Sequence, residues 1–383
     1  MTGTPQPLVH GPYPRRALID CLNESPRAGR PARVRSIVTG TAETIALPQP
    51  PTGRHMLARA ALTEFPREPG WRAPGFTSAT PWVCVFEGAT VHGDGGIILA
   101  EGAVVQDTLM HCEEARQWFA DRPQGLFLFS TAPPAPLSGT WLSLLGGGHW
   151  NYYHWMIDGI GRLAAADAEV LAGCDGVLLP EAPMAIAEET ITRSGITRGR
   201  AVRRVAPGDD LAVERLVVPW SMSIMFQPHP RLVAWLAGLV PPDGAATPRR
   251  IWIDRRAAIN RVLANEAEVI AALSACGIVP VALEGRSLME QATLFAGADL
   301  VVAPHGAGLT NLVFARPGCH VVEVLPYNYV HWCFRHLAAA AGLDYDCVIG
   351  GSEPAARDAN VHARNWTVNP LAVRAAVEAA LWR

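Results

Sequence analysis

The stretch Leu300-Val301-Val302-Ala303-Pro304-His305-Gly306-Ala307-Gly308-Leu309-Thr310-Asn311 restricts the fold more than any other part of the chain. It starts with a short apolar run rich in β-branched residues, the pattern of a buried strand. Two glycines then make a tight turn, and Leu309 to Phe314 resumes with helical character. Strand, turn and helix in that order form a βα unit, which belongs to an α/β fold with a mostly parallel sheet. The first N–H groups of such a helix point outward, along the positive end of its dipole, and this geometry binds anions. His305 opens the turn and adds a donor or a positive charge. The glycines by themselves allow two readings: a phosphate or pyrophosphate cradle, or a βα turn where they only permit close packing.

A chain of 383 residues is long enough for two domains. With 49% hydrophobic and 17% charged residues it has material for sizeable cores and does not read as disordered. The net charge of −3 gives no electrostatic case for nucleic acid or an anionic membrane. All 32 basic residues are arginines, so any cationic contact to phosphate comes from arginine or histidine, and a lysine Schiff base is excluded. The eight cysteines are scattered without zinc-site spacing and read as free thiols in a reducing cytoplasm. Met1 to Arg16 lacks an apolar signal-peptide core, and no charge-free stretch is long enough to span a bilayer. The expected location is the cytoplasm, with any membrane-linked substrate met peripherally at the inner face.

Residues 1–75 are rich in Pro, Gly and Arg and read as an irregular segment. Residues 76–240 read as a first α/β domain. It opens with short β runs at 82–86, 90–92, 96–99 and 103–105, separated by Gly and Asp. A strand over 141–145 ends at Gly146-Gly147-Gly148, and a helix follows from Asn151, its N-cap, to Leu163. Residues 241–249, with three prolines and a glycine, read as the linker. Residues 250–360 form a cleaner βαβ array, in which Ser287 and Glu290 make a capping box. A helix in 361–383 ends the chain.

Three constellations carry chemistry. His154, Asp158 and Arg162 stand at i, i+4 and i+8, on one face of a helix. A histidine one turn from a carboxylate is oriented by it, or the carboxylate is itself a general base. The flanking Tyr152, Tyr153, Trp150 and Trp155 suit a carbohydrate wall. The bland alternative is a surface stripe with a helix-stabilising Asp–Arg pair. Arg255 follows a strand end, where α/β sheets bind ligands, and an arginine there takes a phosphate bidentately. Arg261 and Glu266 lie close behind it. Glu323, within Val321-Val322-Glu323-Val324, needs a partner, either ribose hydroxyls or an arginine.

Four blocks together resemble glycosyltransferase family 61, the DUF563-type proteins. They are Asn151 to Asp158; Ile253-Asp254-Arg255 with Arg261 and Asn265-Glu266; Glu290-Gln291 with Phe295 to Asp299; and Pro304 to Asn311 with Pro317-Gly318 and Val322-Glu323. The resemblance implies a GT-B-like enzyme in which two Rossmann-like domains face each other across a cleft, after an irregular or β-rich N-terminal part. The terminal helix is expected to pack back on the first domain. It implies an inverting transfer from a nucleotide-sugar donor, most often a UDP-sugar, to a hydroxyl of a glycan, lipid-linked or protein-linked acceptor. On this reading Asp158 is the base and His154 its orienter, or His154 is the base itself, with Arg162 in support. Arg255, His305, Gly306, Ala307, Gly308, Leu309 and Asn311 bind the donor, Glu323 binds its ribose, and Arg261 and Glu266 assist. No metal or other cofactor is required. The sequence departs from the family at Asp254, which adds negative charge beside the expected phosphate, and at Gly159-Ile160-Gly161. The reading from another class is a catalytically silent nucleotide- or glycan-binding scaffold.

Overall fold

The computed structural model describes residues 8–23, 33–48, 69–109, 126–130, 132–241, 244, 246–256, 260–326, 329–352 and 365–382. The chain divides into two units, Met1–Ala42 with Thr80–Met222, and Glu43–Ala79 with Ser223–Arg383. The division therefore falls at 222/223, ahead of the proline-rich linker. The Pro230–Leu239 helix belongs to the second unit because its buried Leu232, Val233 and Leu236 pack there, next to the Ala307–Phe314 helix.

The first unit is built on a nine-stranded sheet. Its strands are β1 (Arg15–Arg16), β2 (Val34–Val38), β3 (Trp82–His92), β4 (Ile97–Ala100), β5 (Ala103–Val105), β6 (Ala135–Ser143), β7 (Gly176–Pro180), β8 (Ala201–Val205) and β9 (Asp210–Pro219). The order is β8-β7-β6-β9-β3-β4-β5-β1, with β2 also paired to β3. β8, β7, β6 and β9 run parallel, whereas β9, β3, β4 and β5 run antiparallel. The sheet is thus mixed, and its antiparallel half matches the short apolar runs of 82–105. The 1–75 stretch is less irregular than its composition suggests: β1 and β2 join this sheet, and Thr44–Ala46 pairs with Gly75–Thr77 in the second unit. Phe86, Val91, Leu178 and Leu216 lie in the core on this sheet. α1 (Ala185–Ser194) stops at Gly195, whose left-handed φ of 66° makes the helix end.

The second unit carries a six-stranded sheet of β10 (Arg250–Asp254), β11 (Val279–Ala282), β12 (Leu300–Pro304), β13 (His320–Pro326), β14 (Asp344–Ser352) and β15 (Trp366–Thr367). The order is β11-β10-β12-β13-β14-β15, parallel except for β15. β10 comes first in the chain and sits between β11 and β12, so the connections leave it in opposite directions. That leaves a crevice at the carboxyl ends of β10 and β12. Around the sheet lie α2 (Pro230–Leu239), α3 (Glu266–Leu273), α4 (Leu288–Gly297), α5 (Cys333–Ala340) and α6 (Pro370–Leu381). The capping box of α4 is formed, with Ser287 and Glu290 bonding reciprocally. The terminal helix, expected to pack back on the first domain, belongs to the second unit. The buried Ala372, Val373, Ala376 and Val377 of α6 complete the second core, together with Trp252, Val269 and Val322.

Arg335 of α5 is fully buried and ties the 43–79 excursion to this unit. It donates to the carbonyls of Pro48, Gly70 (2.9 Å) and Trp71 (3.2 Å) and lies over the Trp71 ring. Arg335→Met keeps most of the buried length but removes the guanidinium donors from those carbonyls, of which Gly70 also lies 3.1 Å from His336 Nε2. It is expected to lower the unfolding free energy by about 2–4 kcal/mol, as read from the urea midpoint; an unchanged midpoint would contradict the anchoring role.

Candidate functional site

In the second unit the carboxyl ends of β10 and β12 carry Arg255 and the His305-Gly306 turn. The Arg255 guanidinium donates to the His305 carbonyl and, at 3.4 Å, to the Asn260 carbonyl. A Cβ built on Gly306 would overlap that guanidinium. Gly306 has an extended φ of 171°, which any residue adopts, so a side chain here would conflict only with the arginine, which would have to shift. The helix that follows, Ala307–Phe314, is a 3-10 helix rather than an α-helix. The N–H of Leu309 turns back onto the Gly306 carbonyl at 3.0 Å, so Leu309 is not an anion donor. Ala307 and Gly308 are the first residues of the helix, whose N–H groups have no acceptor within it. A cavity of about 70 Å³ opens among Ile253, Arg255, Leu283, Glu284, Gly306 and Gly308.

Three side chains support this turn from behind. His305 Nδ1 lies 2.5 Å from Glu323 Oε1, and the Tyr345 hydroxyl donates to Glu323 Oε2 at 2.6 Å. Glu323 has no exposure, so it holds His305 and does not present its carboxylate to a ribose. Burial first, and then the charge of Glu323, push the Tyr345 hydroxyl well above its ordinary range and keep it a donor. Asn311 is also fully buried; it donates to Gln291 at 2.8 Å and to the Gly308 carbonyl at 3.1 Å, and so shapes the turn rather than facing a donor.

Glu266 stands under β10. Its Oε1 accepts the Arg255 main-chain N–H at 2.8 Å and the Trp252 indole N–H at 2.7 Å, while Oε2 is buried without a partner among the described residues. The charge of Asp254, which departs from the family pattern, is met by the guanidinium of Arg256, which holds its carboxyl below the ordinary range. Arg261 has a φ of 50°, and its guanidinium covers the Tyr329 ring 4.7 Å from the centroid. Burial, then the like charge of Arg261, lower the Arg255 pKa from its ordinary value. The two guanidinium groups therefore lie within electrostatic reach of each other, beside the glycine turn.

In the first unit the expected helix after β6 is broken into three short pieces. Asn151 caps it by accepting the Tyr153 N–H at 2.9 Å. Tyr152–His154 make one α-turn, Trp155–Gly159 a π-turn and Ile160–Ala165 a 3-10 turn. Gly159 and Gly161 disfavour a continuous α-helix, and Gly159 adopts φ −101°, ψ −99°. Inserted π-turns recur at functional sites, and this one carries Asp158. His154 Nδ1 lies 2.9 Å from Asp158 Oδ2, and the Ser221 hydroxyl lies 3.3 Å from Oδ1. The i, i+4 pair survives the irregular backbone, but the single stripe does not extend to i+8. Arg162 is buried and donates to the carbonyls of Leu145 (2.7 Å) and Gly159 (3.4 Å); burial lowers its pKa to about 10, against the charge of Asp158. A cavity of about 60 Å³ is lined by Gly146, Gly147, Asp158, Arg162, Trp220 and Ser221. Half of the aromatic wall is core instead: Trp155 is fully buried, with its indole N–H on Thr190, and Tyr153 is buried too.

Residues 152–322 match the family described as Glycosyltransferase 61. The matched span is less than half of the chain. It contains His154, Asp158, Arg255 and His305 and ends one residue before Glu323. Over 91 residues the chain is 36% identical to a protein O-linked-mannose beta-1,4-N-acetylglucosaminyltransferase 2 of Takifugu rubripes. Over 86 residues it is 40% identical to the beta-1,2-xylosyltransferase XAX1 of Oryza sativa subsp. japonica. Each match covers 22% of this chain and 15% of the relative, so the chain spans a small part of the curated relatives it matches.

Tyr345 and Ser221 are residues of the candidate site that the sequence reading missed, and Gln291 was named only within a family block. Tyr345 had a signal: Glu323 pairs with Cys347, and a residue two positions along a strand shares its face. Ser221 lies 63 residues from Asp158 and had none.

Two outcomes test this geometry. Burial raises the Glu266 carboxyl above 4.5, ahead of the lowering N–H donors Arg255 and Trp252. The folded state thus binds the proton more tightly than the unfolded one. The contribution of Glu266 to stability is full below its unfolded pKa and is lost as the pH rises through the raised folded value. Glu266→Gln keeps an acceptor for both donors and is expected to remove that decline in unfolding midpoints measured between about pH 4 and 8; a wild-type slope in the variant would contradict it. Gly306→Ala is expected to displace the Arg255 guanidinium and weaken nucleoside diphosphate binding at least about tenfold by calorimetry. Unchanged affinity would show that the close approach is incidental.

Proposed function

We propose that the protein is an inverting glycosyltransferase that moves a sugar from a nucleotide diphosphate donor, a UDP-sugar, to a hydroxyl of a growing polysaccharide. The observation that carries this reading is the fit of Arg255 against Gly306 at the crevice between β10 and β12. An arginine, the first N–H groups of a helix and a cavity converge there, which suits a diphosphate. The glycosyltransferase 61 match and the transferase names of the relatives support the same reading.

In the reaction the acceptor oxygen attacks the anomeric carbon as its bond to the diphosphate breaks, and the electron pair leaves with the diphosphate. His154 is the base. Both oxygens of Asp158 already meet side chains, His154 and Ser221, so Asp158 is the orienter. With the proton of the neutral ring on Nδ1, toward Asp158, Nε2 carries the lone pair that takes the acceptor proton. Arg255, with Arg261 beside it, and the N–H groups of Ala307 and Gly308 stabilise the departing diphosphate. His305, fixed through Nδ1 by Glu323, receives the Arg255 guanidinium at its carbonyl and so holds the donor turn in place. No step is assigned to a metal. The GT-B-like arrangement and a cytoplasmic location belong to this proposal. Among the described residues no helix is long and apolar enough to cross a membrane.

The test is nucleotide release from UDP-, GDP- and dTDP-sugars, with and without glycan acceptors. His154→Ala is expected to lower the transfer rate by about 100-fold or more while UDP still binds. Arg255→Ala is expected to lose UDP affinity as well. Normal turnover by both variants would overturn the assignment, and UDP binding without turnover by the unaltered protein would favour a silent scaffold.

A further inference from the structure

Trp150 is 71% exposed, whereas Tyr153 and Trp155 of the same stretch are buried. The turn that carries it is held on both sides. The Asn151 N–H donates to the Gly148 carbonyl at 2.8 Å, and the Asn151 side chain caps the next turn. His149 Nδ1 lies 3.2 Å from the Gly146 carbonyl, and its Nε2 lies 3.4 Å from Asp94. Gly148 has a φ of 79°, and a Cβ there would meet the His154 ring at 3.2 Å. The indole is therefore held out on a fixed turn that begins at Gly146 and Gly147, in the lining of the cavity that contains Asp158.

An exposed indole on a rigid support gains by covering its face. Its neighbours in the turn are Gly147, Gly148, His149 and Asn151, which are small or polar. A lipid or an apolar protein surface would need several apolar neighbours. One exposed aromatic plane, flanked in the chain by small and polar residues, fits a ligand that is apolar on its face and polar at its rim, as a pyranose is. We propose that Trp150 is the floor of an acceptor subsite that stacks the C–H face of a pyranose unit of the glycan, four residues ahead of His154. The inference rests on the glycosyltransferase reading given above.

The test is calorimetric titration of the full chain with oligosaccharides of glucose, mannose, xylose and N-acetylglucosamine, with UDP titrated separately. Trp150→Ala is expected to weaken binding of the preferred oligosaccharide by about tenfold or more, Trp150→Phe to retain most of it, and both to bind UDP as the wild type does. Undiminished oligosaccharide binding by Trp150→Ala overturns the proposal. So does a wild type that binds none of the four, or a Trp150→Ala effect that is only a change of oligomeric state. If donor turnover persists in any of these cases, the subsite assignment fails and the transferase reading stands. If no nucleotide sugar is turned over, the transferase reading itself fails.

Discussion

Glu323 lies without exposure in the middle of β13, among valines. A carboxylate there would be destabilising by several kcal/mol unless its oxygens were bonded. Tyr345 and His305 supply the bonds, one to each oxygen. The consequence runs toward the substrate side. His305 is fixed at the end of β12, and its carbonyl receives the Arg255 guanidinium. That guanidinium in turn lies where a Cβ on Gly306 would be. The turn, the arginine and the start of the 3-10 helix are thus one construction, and the carboxylate behind them determines their shape.

The two histidine–carboxylate pairs of the candidate site, His305–Glu323 and His154–Asp158, differ in character. In the second unit the pair is buried, with the histidine 5% exposed and the carboxylate not at all. In the first unit His154 and Asp158 retain 20% and 10% exposure and border a cavity. A buried pair suits holding, because both partners are enclosed by the protein. A partly open pair on an inserted π-turn suits proton transfer. This difference is why the proposed mechanism gives the base to the first unit and the donor contacts to the second.

Much of this was legible in local patterns. Strand runs, the α4 capping box and the glycine that stops α1 follow from residues a few positions apart, and they fall where those patterns put them. The His154–Asp158 pair is also local and is found paired. What was not legible depends on neighbours distant in sequence. Glu323 read as a ribose ligand because Tyr345, 22 residues on, is visible only through strand register. Gly306 read as a glycine that lets either a phosphate or a packing neighbour come close, and its near neighbour Arg255, 50 residues earlier, was not visible in the sequence. The α6 face fits its core only once α3 and β13 are in place, so its place in the second unit could not be read from the sequence. Asp254 looked like misplaced charge until Arg256 was seen to neutralise it.

The most direct test of the central claim is a crystal structure of the protein with uridine diphosphate. The account predicts the diphosphate at the carboxyl ends of β10 and β12, against the Arg255 guanidinium and the N–H groups of Ala307 and Gly308, with Glu323 still closed behind His305. A diphosphate bound elsewhere, or Glu323 turned out to meet the ribose, would contradict it.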